Sequence, residues 1–482
     1  MRTRTLALLF STVLFGAASM AQVPVLLKDI NPTGNPYVSG LTCFGDVLYF
    51  DATDGVHGVE LWKTDGTESG TVMVKDINVG IGNGAPANFM ELNGVFHFSA
   101  TDGVNGLQIW RTDGTESGTQ VVLSLAEVDG LIEWSDFVAL GDRIFFRGRD
   151  AVVGSELWST DGTAAGTQLF LDINPGTANS GIDDPMVFDG NMYFEASTAT
   201  YGAEPWICDG TVAGTHMIKE TIPGNLSTGT TPSLFTAAGG LVYFKAGTSS
   251  TGDELWATDG TEAGTGLVRD IRPGTNSSSP SDMIEHNGLL HCRAYNYLGD
   301  PLIWQSDGTF DGTVALPTFN YNSPNDLCSH QGALYFTARI GTNYRQLWHS
   351  DGTAEGTYQI LFPGSDVLSP FASYTSRQSC NGIFFFTANY MTATGQELYT
   401  LDLTTGSEEH STNNTQPYPN PVTDRLLVQL AGPSNAQLLD NSGRVVRSWR
   451  LAAGSNSVDL AGLANGSYIL VTGTSTHRIM KQ

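Results

Sequence analysis

Seven times in this 482-residue chain a tryptophan is followed three residues later by Asp-Gly-Thr, so one carboxylate recurs at the same place in seven loops. The pairs are Trp62 and Asp65, Trp110 and Asp113, Trp158 and Asp161, Trp206 and Asp209, Trp256 and Asp259, Trp304 and Asp307, and Trp348 and Asp351. In a chain of net charge −26 such acids could serve calcium, a hard cation that takes oxygen ligands. Each Asp-Gly-Thr-x-x-Gly-Thr loop offers only one repeated carboxylate, however, where calcium wants six or more oxygens. An Asx turn, with the carboxylate folded back onto nearby amides, explains the motif with less. His286, His291 and Cys292 are metal-ligand types across a hairpin, but a structural zinc needs four converging ligands. His291, like His97, also falls at an aromatic position of the repeat. Asp183-Asp184 supplies two carboxylates of the kind glycoside hydrolysis uses, although adjacent residues seldom face each other across a substrate. No nucleophile elbow, His-Glu-x-x-His helix or phosphate-cradling glycine loop is present, and the chain reads as non-catalytic.

These residues are carried by a repeat. The tryptophans step by 48, 48, 48, 50, 48 and 44 residues, a period that signals a propeller or solenoid. Each unit holds four short apolar runs, such as Phe89–Leu92, Val95–Phe98, Leu107–Trp110 and Val72–Ile77, separated by Asn-Gly and Asp-Gly turn chemistry. The aromatic pair of the second run occurs at Tyr49-Phe50 and recurs down to Phe385-Phe386, which makes eight units, the last with Tyr399 in place of tryptophan. Runs such as Ile383–Phe386 lack polar alternation, as sheets buried on both faces do. The eighth unit has no fourth strand of its own, whereas Val25–Ile30 is a fourth-strand sequence with no unit before it. The expected fold is all-β: an eight-bladed propeller of four-stranded blades over residues 22–405, closed by the N-terminal strand so that few edges stay open.

The motif Glu60-Leu61-Trp62-Lys63-Thr64-Asp65-Gly66-Thr67 resembles the ELWxxDGT repeat of secreted bacterial proteins, and Glu156 to Thr163 and Glu254 to Thr261 match it equally. The resemblance implies a propeller and no catalytic residues. Gln108, Pro205, Leu302-Ile303 and Gln346 depart from it, and the 44-residue seventh unit departs in length.

Both ends read differently. Arg2 and Arg4, an apolar run from Leu6 to Ala18 and small residues before a cleavage point between Ala21 and Gln22 read as a signal peptide over 1–21. The run is too short for a membrane span, and no other transmembrane candidate follows. A polar linker, 406–417, leads to a segment of short alternating strands, 418–482, expected to be a small C-terminal β-sandwich. Its Pro419-Asn420-Pro421 entry, Asp440-Asn441-Ser442-Gly443-Arg444-Val445 turn, Leu463-Ala464-Asn465-Gly466-Ser467-Tyr468 strand and basic end are similar to the type IX secretion sorting domain of Bacteroidetes. That resemblance implies the type IX machinery as a partner and passage across the outer membrane. Cleavage of the domain would leave the cargo extracellular or attached to the cell surface.

Residues 418–482 carry six Lys and Arg against three Asp; with Arg2 and Arg4 also set aside, residues 22–417 hold a net −31. Nucleic acid and anionic membranes are poor partners for such a surface. The five cysteines, 43, 208, 292, 328 and 380, are odd in number and irregularly spaced, so buried free thiols are expected.

In a four-stranded blade the tight turns share one rim, and the loops after the second and fourth strands share the other. That second rim holds the irregular loops, where binding residues concentrate. Blades six to eight place Arg293, Tyr295, Tyr297, Tyr321, Arg339, Tyr344, Arg345 and Tyr390 there, the chemistry of glycan or protein recognition. The expected function is a secreted or surface-displayed binding, adhesion or scaffold module. A polysaccharide-active hydrolase or lyase, or a structural surface-layer component, are the other classes.

Overall fold

A computed structural model describes residues 23–128, 130–221, 231–317, 321–340, 345–353, 356–360, 376–388, 395–402, 425–430, 434–440, 444–452, 454–472 and 475–481. Tyr344, Tyr390, the signal segment and the linker lie outside them. The chain divides into two compact units, one of residues 24–401 and one containing the tail.

The first unit is a succession of four-stranded antiparallel sheets. The first contains Ser39–Phe44, Val47–Ala52, Glu60–Thr64 and Val72–Lys75 in that order. Six more follow the same plan within residues 87–124, 131–171, 183–217, 233–269, 281–315 and 322–359. The eighth takes Arg377–Cys380, Ile383–Ala388 and Glu397–Asp402 from one end of the unit and Val23–Lys28 from the other, the strand expected to join it. The first strands lie side by side, each against that of the next sheet, and Arg377–Cys380 lies against Ser39–Phe44. The arrangement is propeller-like. The 44-residue seventh unit also forms four strands, and its first strand, Asn322–His330, carries two register shifts.

Packing explains the repeat. In six units the third-strand tryptophan opposes a second-strand phenylalanine, as Trp62 opposes Phe50 and Trp110 opposes Phe98, with ring centroids 6.5 Å apart in both. Apolar clusters straddle neighbouring sheets; one joins Leu27, Ile30 and Leu398 of the eighth sheet to Leu48, Phe50 and Trp62 of the first. Cys292 takes the phenylalanine place opposite Trp304, and His291 packs edge-on against His286 at 5.1 Å. Burial lowers the His291 pKa to about 4, so it sits in the core as a neutral ring.

The Asp-Gly-Thr loops are turns with a fixed bonding pattern. Asp65 Oδ1 accepts from the Thr67 amide at 2.9 Å and hydroxyl at 2.7 Å, and Thr67 Oγ1 accepts from the Gly70 amide at 2.9 Å. The same bonds recur at Asp113, Asp161, Asp209, Asp259, Asp307 and Asp351. A Cβ on Gly70 would stand 2.0 Å from Asp65 Oδ1, which is why the second glycine of the motif is required. Cations on or just after fourth strands then cap the neighbouring turn. Lys28 donates to Thr71 O at 2.7 Å, Lys219 to Thr265 O at 2.6 Å and Arg269 to Thr313 O at 2.8 Å.

One expectation is corrected. Cys43 and Cys380 form a disulfide between the first strands of the first and eighth sheets, while Cys208, Cys292 and Cys328 are free. Spacing along the chain could not reveal a pair 337 residues apart that only the return of the eighth sheet to the first brings together. The disulfide continues a series of links between first strands: His286 Nδ1 to Ser329 Oγ and His330 Nδ1 to Ser379 Oγ, each 2.8 Å.

In the second unit, Arg425–Leu430 pairs with Gly454–Asp459, and Ser434–Leu439 lies between Val445–Leu451 and Gly466–Thr472, with Ser475–Lys481 outermost. Leu426, Val428 and Val458 of the first sheet share one core with Leu438, Leu470 and Ile479 of the second, as in a small sandwich. No helix among the described residues is long and apolar enough to cross a membrane.

Candidate functional site

The first strands of seven sheets carry a bulge, with a left-handed residue at its centre: Gly40, Asn88, Asp136, Asp184, Leu234, Asp282 and Asp326. Across from the bulges, the second strands present Asp51, Ser99, Arg147, Glu195, Lys245, Arg293 and Thr337. Glycine, asparagine and aspartate tolerate this backbone best, which accounts for most of the column. The result is a belt of charged and polar side chains on the two innermost strands, toward the irregular-loop end of the sheets.

Neighbouring sheets are tied through the belt. Arg147 pairs with Asp136 at 2.9 Å and donates to Ile182 O at 2.8 Å. Asp184 accepts from the amides of Leu234 and Phe235 in the fifth sheet. Glu195, nine-tenths buried, is pushed up to about 7 by burial and by Asp183 and Asp184. Arg377 of the eighth sheet reaches Asp326 at 3.4 Å and Asp282 at 3.7 Å, and its Nε donates to Leu327 O at 3.0 Å.

Four of the rim residues expected from sequence meet here. Arg293 donates to the Tyr295 hydroxyl at 2.8 Å and stacks 4.8 Å over its ring. Arg345 Nη1 donates to Ser323 O at 2.7 Å. Its charge is disfavoured chiefly by burial and also by Arg339 and Arg293, with Asp326 and Asp282 acting the other way. Tyr297 lies two residues beyond Tyr295 in the loop that follows the strand, 73% exposed. Tyr321 does not present an open anchor, because it packs between Phe336 and Trp348 at 5.0 and 5.3 Å. Asp282, Asp326 and Arg377 were not anticipated. The signal for the two aspartates was the column of mostly Gly, Asn or Asp in the first strands.

A second repeated device was also unanticipated. The glutamate of the ELW motif is buried and holds the loop that leads to the next sheet. Glu60 accepts from the Ile77 and Gly84 amides, each at 2.8 Å, and Glu254 from Ile271 and Ser278 at 2.8 and 2.9 Å. Burial raises Glu254 and Glu397 to about 7. A pKa raised on folding stabilises below the unfolded value, near 4.3, and that stability is lost as pH rises through 7. The turn aspartates are lowered instead, so their contribution fades only at acid pH. Thermal stability should therefore peak near pH 5 and fall toward pH 8. Each glutamate accounts for up to about 3 kcal/mol of that fall. Melting scans of the wild type and Glu254→Gln test this, the variant showing a shallower slope between pH 5 and 8.

Among the described residues, no cluster of three or more His, Cys, Asp or Glu has the geometry to hold a metal ion.

Residues 416–482 match the family described as the secretion system C-terminal sorting domain. The tail is a type IX sorting domain. It implies secretion by that machinery. No curated protein matches the chain. Among solved structures, PorZ, a surface component of the type IX secretion system of Porphyromonas gingivalis, matches at 14% identity and TM-score 0.42 over 91% of this chain and 64% of its own. The β-propeller domain of the trilobed protease from Pyrococcus furiosus matches at 11% identity and TM-score 0.41 over 68% of this chain and 99% of its own. The chain thus spans about 64% of PorZ. At these scores the likeness bears on neither activity nor ligand.

Proposed function

We propose that residues 23–402 form a closed eight-bladed propeller that acts as a non-catalytic binding or scaffold module. In this reading the sorting tail delivers it to the cell exterior, where removal of the tail leaves it free or surface-attached. The observation that carries the binding role is the convergence of Arg293, Tyr295, Arg339 and Arg345 with Asp282, Asp326 and Arg377 in the sixth to eighth sheets. Rigid strands hold these groups while the adjoining loops vary, the arrangement by which a repeated scaffold acquires specificity. Calcium remains outside this reading, because each turn aspartate commits Oδ1 to its own loop and supplies the only repeated carboxylate there. A glycan and protein binding screen of the mature chain should return a ligand whose affinity drops at least tenfold in Arg339→Ala or Tyr297→Ala, with melting unchanged. Binding that ignores both substitutions would remove the site from this rim.

One observation favours a polysaccharide-active enzyme as the second reading: Glu195, its pKa pushed up to about 7, stands beside Asp183 and Asp184. A carboxyl group with a raised pKa next to carboxylates is the equipment of glycoside cleavage. Glu195→Gln should then abolish any cleavage of a polysaccharide panel, and an inactive wild type removes the reading.

A further inference from the structure

We propose that the arginines of the sixth to eighth sheets seat the carboxylate of an acidic sugar, so that the ligand of the binding rim is a glycan carrying uronic acid residues. This rests on the binding reading above and specifies its ligand.

Charge distribution gives the first argument. Residues 22–417 contain only 15 Lys and Arg, yet Arg293, Arg339, Arg345 and Arg377 stand together in a region of net −31. Gathering like charges is unfavourable unless something negative joins them. Asp282 and Asp326 do not suffice, since their two charges are shared among four arginines, with Arg377 the nearest. Among the described residues, no carboxylate lies within ion-pair distance of Arg293, Arg339 or Arg345.

The second argument is preorganisation. Arg293 is held by neutral partners, the Tyr295 hydroxyl at 2.8 Å and Ser281 Oγ at 3.4 Å, and its Nε is buried with no partner. Arg345 is held by the carbonyls of Ser323 and Thr337, at 2.7 and 3.5 Å. Positions are thereby fixed while charge is only partly compensated, by Asp282 and Asp326. A planar guanidinium in this state is suited to a carboxylate, which it can bind through two parallel hydrogen bonds.

Two features select a sugar acid over other anions. Tyr297 follows Tyr295 by two residues and exposes most of its ring, a face on which a pyranose can stack. The surrounding acidity also discriminates by ligand charge. Screening confines the cluster's attraction to about 8 Å at physiological salt. A densely charged polymer such as nucleic acid or heavily sulfated glycan meets the negative field of the whole unit, whereas a uronate spaced by uncharged sugars reaches the arginines with little repulsion.

The test is calorimetric titration of the mature full-length protein with a tetramer of galacturonic acid, its methyl ester and an acidic tetrapeptide, at 150 and 500 mM NaCl. The expected result is binding of the free acid at least tenfold tighter than the ester, weakened by salt. Arg339→Gln should lose at least tenfold without a change in melting, because Arg339 is exposed. Tyr297→Ala, also exposed, should weaken acid and ester alike. Equal binding of acid and ester, or binding unaffected by Arg339→Gln, overturns the charge assignment and leaves the rim as a site for neutral ligands. Binding of the peptide in place of either sugar overturns the glycan assignment and leaves the rim as a protein site. Absence of any ligand sensitive to Arg339 or Tyr297, here and in the wider screen, overturns both readings.

Discussion

Cys43→Ser is expected to destabilise the first unit by about 2–5 kcal/mol and lower its melting temperature by roughly 5 °C. The disulfide closes a loop of 337 residues, and long loops gain most from a cross-link because it removes the most freedom from the unfolded chain. The link is also placed where peeling would begin. It joins first strands of the two sheets that adjoin the point where Val23–Lys28 is held by Glu397–Asp402 without any peptide continuity. Cys380→Ser should match Cys43→Ser, the double variant should lose nothing more, and reduction of the wild type should reproduce all three. Identical melting of oxidised and reduced wild type would show that the link adds no stability.

Deletion of residues 22–30 should cost more. Leu27 and Ile30 leave the core they share with Phe50 and Trp62, at about 2 kcal/mol or more each. Glu397 is buried and accepts from the Ile30 amide at 3.1 Å, so it loses its donor as well, a further 1–3 kcal/mol. Glu397–Asp402 becomes an unpaired edge. Hydrogen exchange should show protection lost across that strand, its neighbour Ile383–Ala388 and the first sheet, and a synthetic peptide of residues 22–31 should restore it. Retained protection in the deletion would mean that the N-terminal strand is not what completes the eighth sheet.

Most of the sheet plan was legible because the repeat speaks seven times. The tryptophan spacing, the aromatic pairs and the glycine turns each predict the same strands, and the spare fourth-strand sequence at Val25–Ile30 identifies where it belongs. The Asx turn was equally readable, since Asp, Gly and Thr at fixed offsets have few other local solutions. The candidate site was half legible. Arg293, Tyr295, Arg339 and Arg345 could be gathered from loop position alone. Arg377, Asp282 and Asp326 could not, because their roles depend on which side chains the first strands of three sheets bring within reach. Tyr321 went into the core for a related reason: a tyrosine between sheets fills a seam as readily as it faces a ligand. The ELW glutamate was hidden by its own regularity, a motif position whose work is done on the backbone of the following loop. The cysteine pair was invisible to spacing, which carries no information about a contact made only when both ends of the unit meet.

That meeting has a consequence for time. Glu397–Asp402 leaves the ribosome some 370 residues after its partner strand Val23–Lys28, a wait of roughly 20 to 75 seconds at ordinary elongation rates. Cys43 must pass the same interval, during which Cys208, Cys292 and Cys328 all emerge before Cys380. An oxidant acting early would therefore meet three wrong thiols first. Cys208 and Cys292 vanish into their own sheets once these form, so the order of synthesis favours the correct pair only if oxidation comes late. The molecule is one whose last step cannot begin until nearly all of it exists.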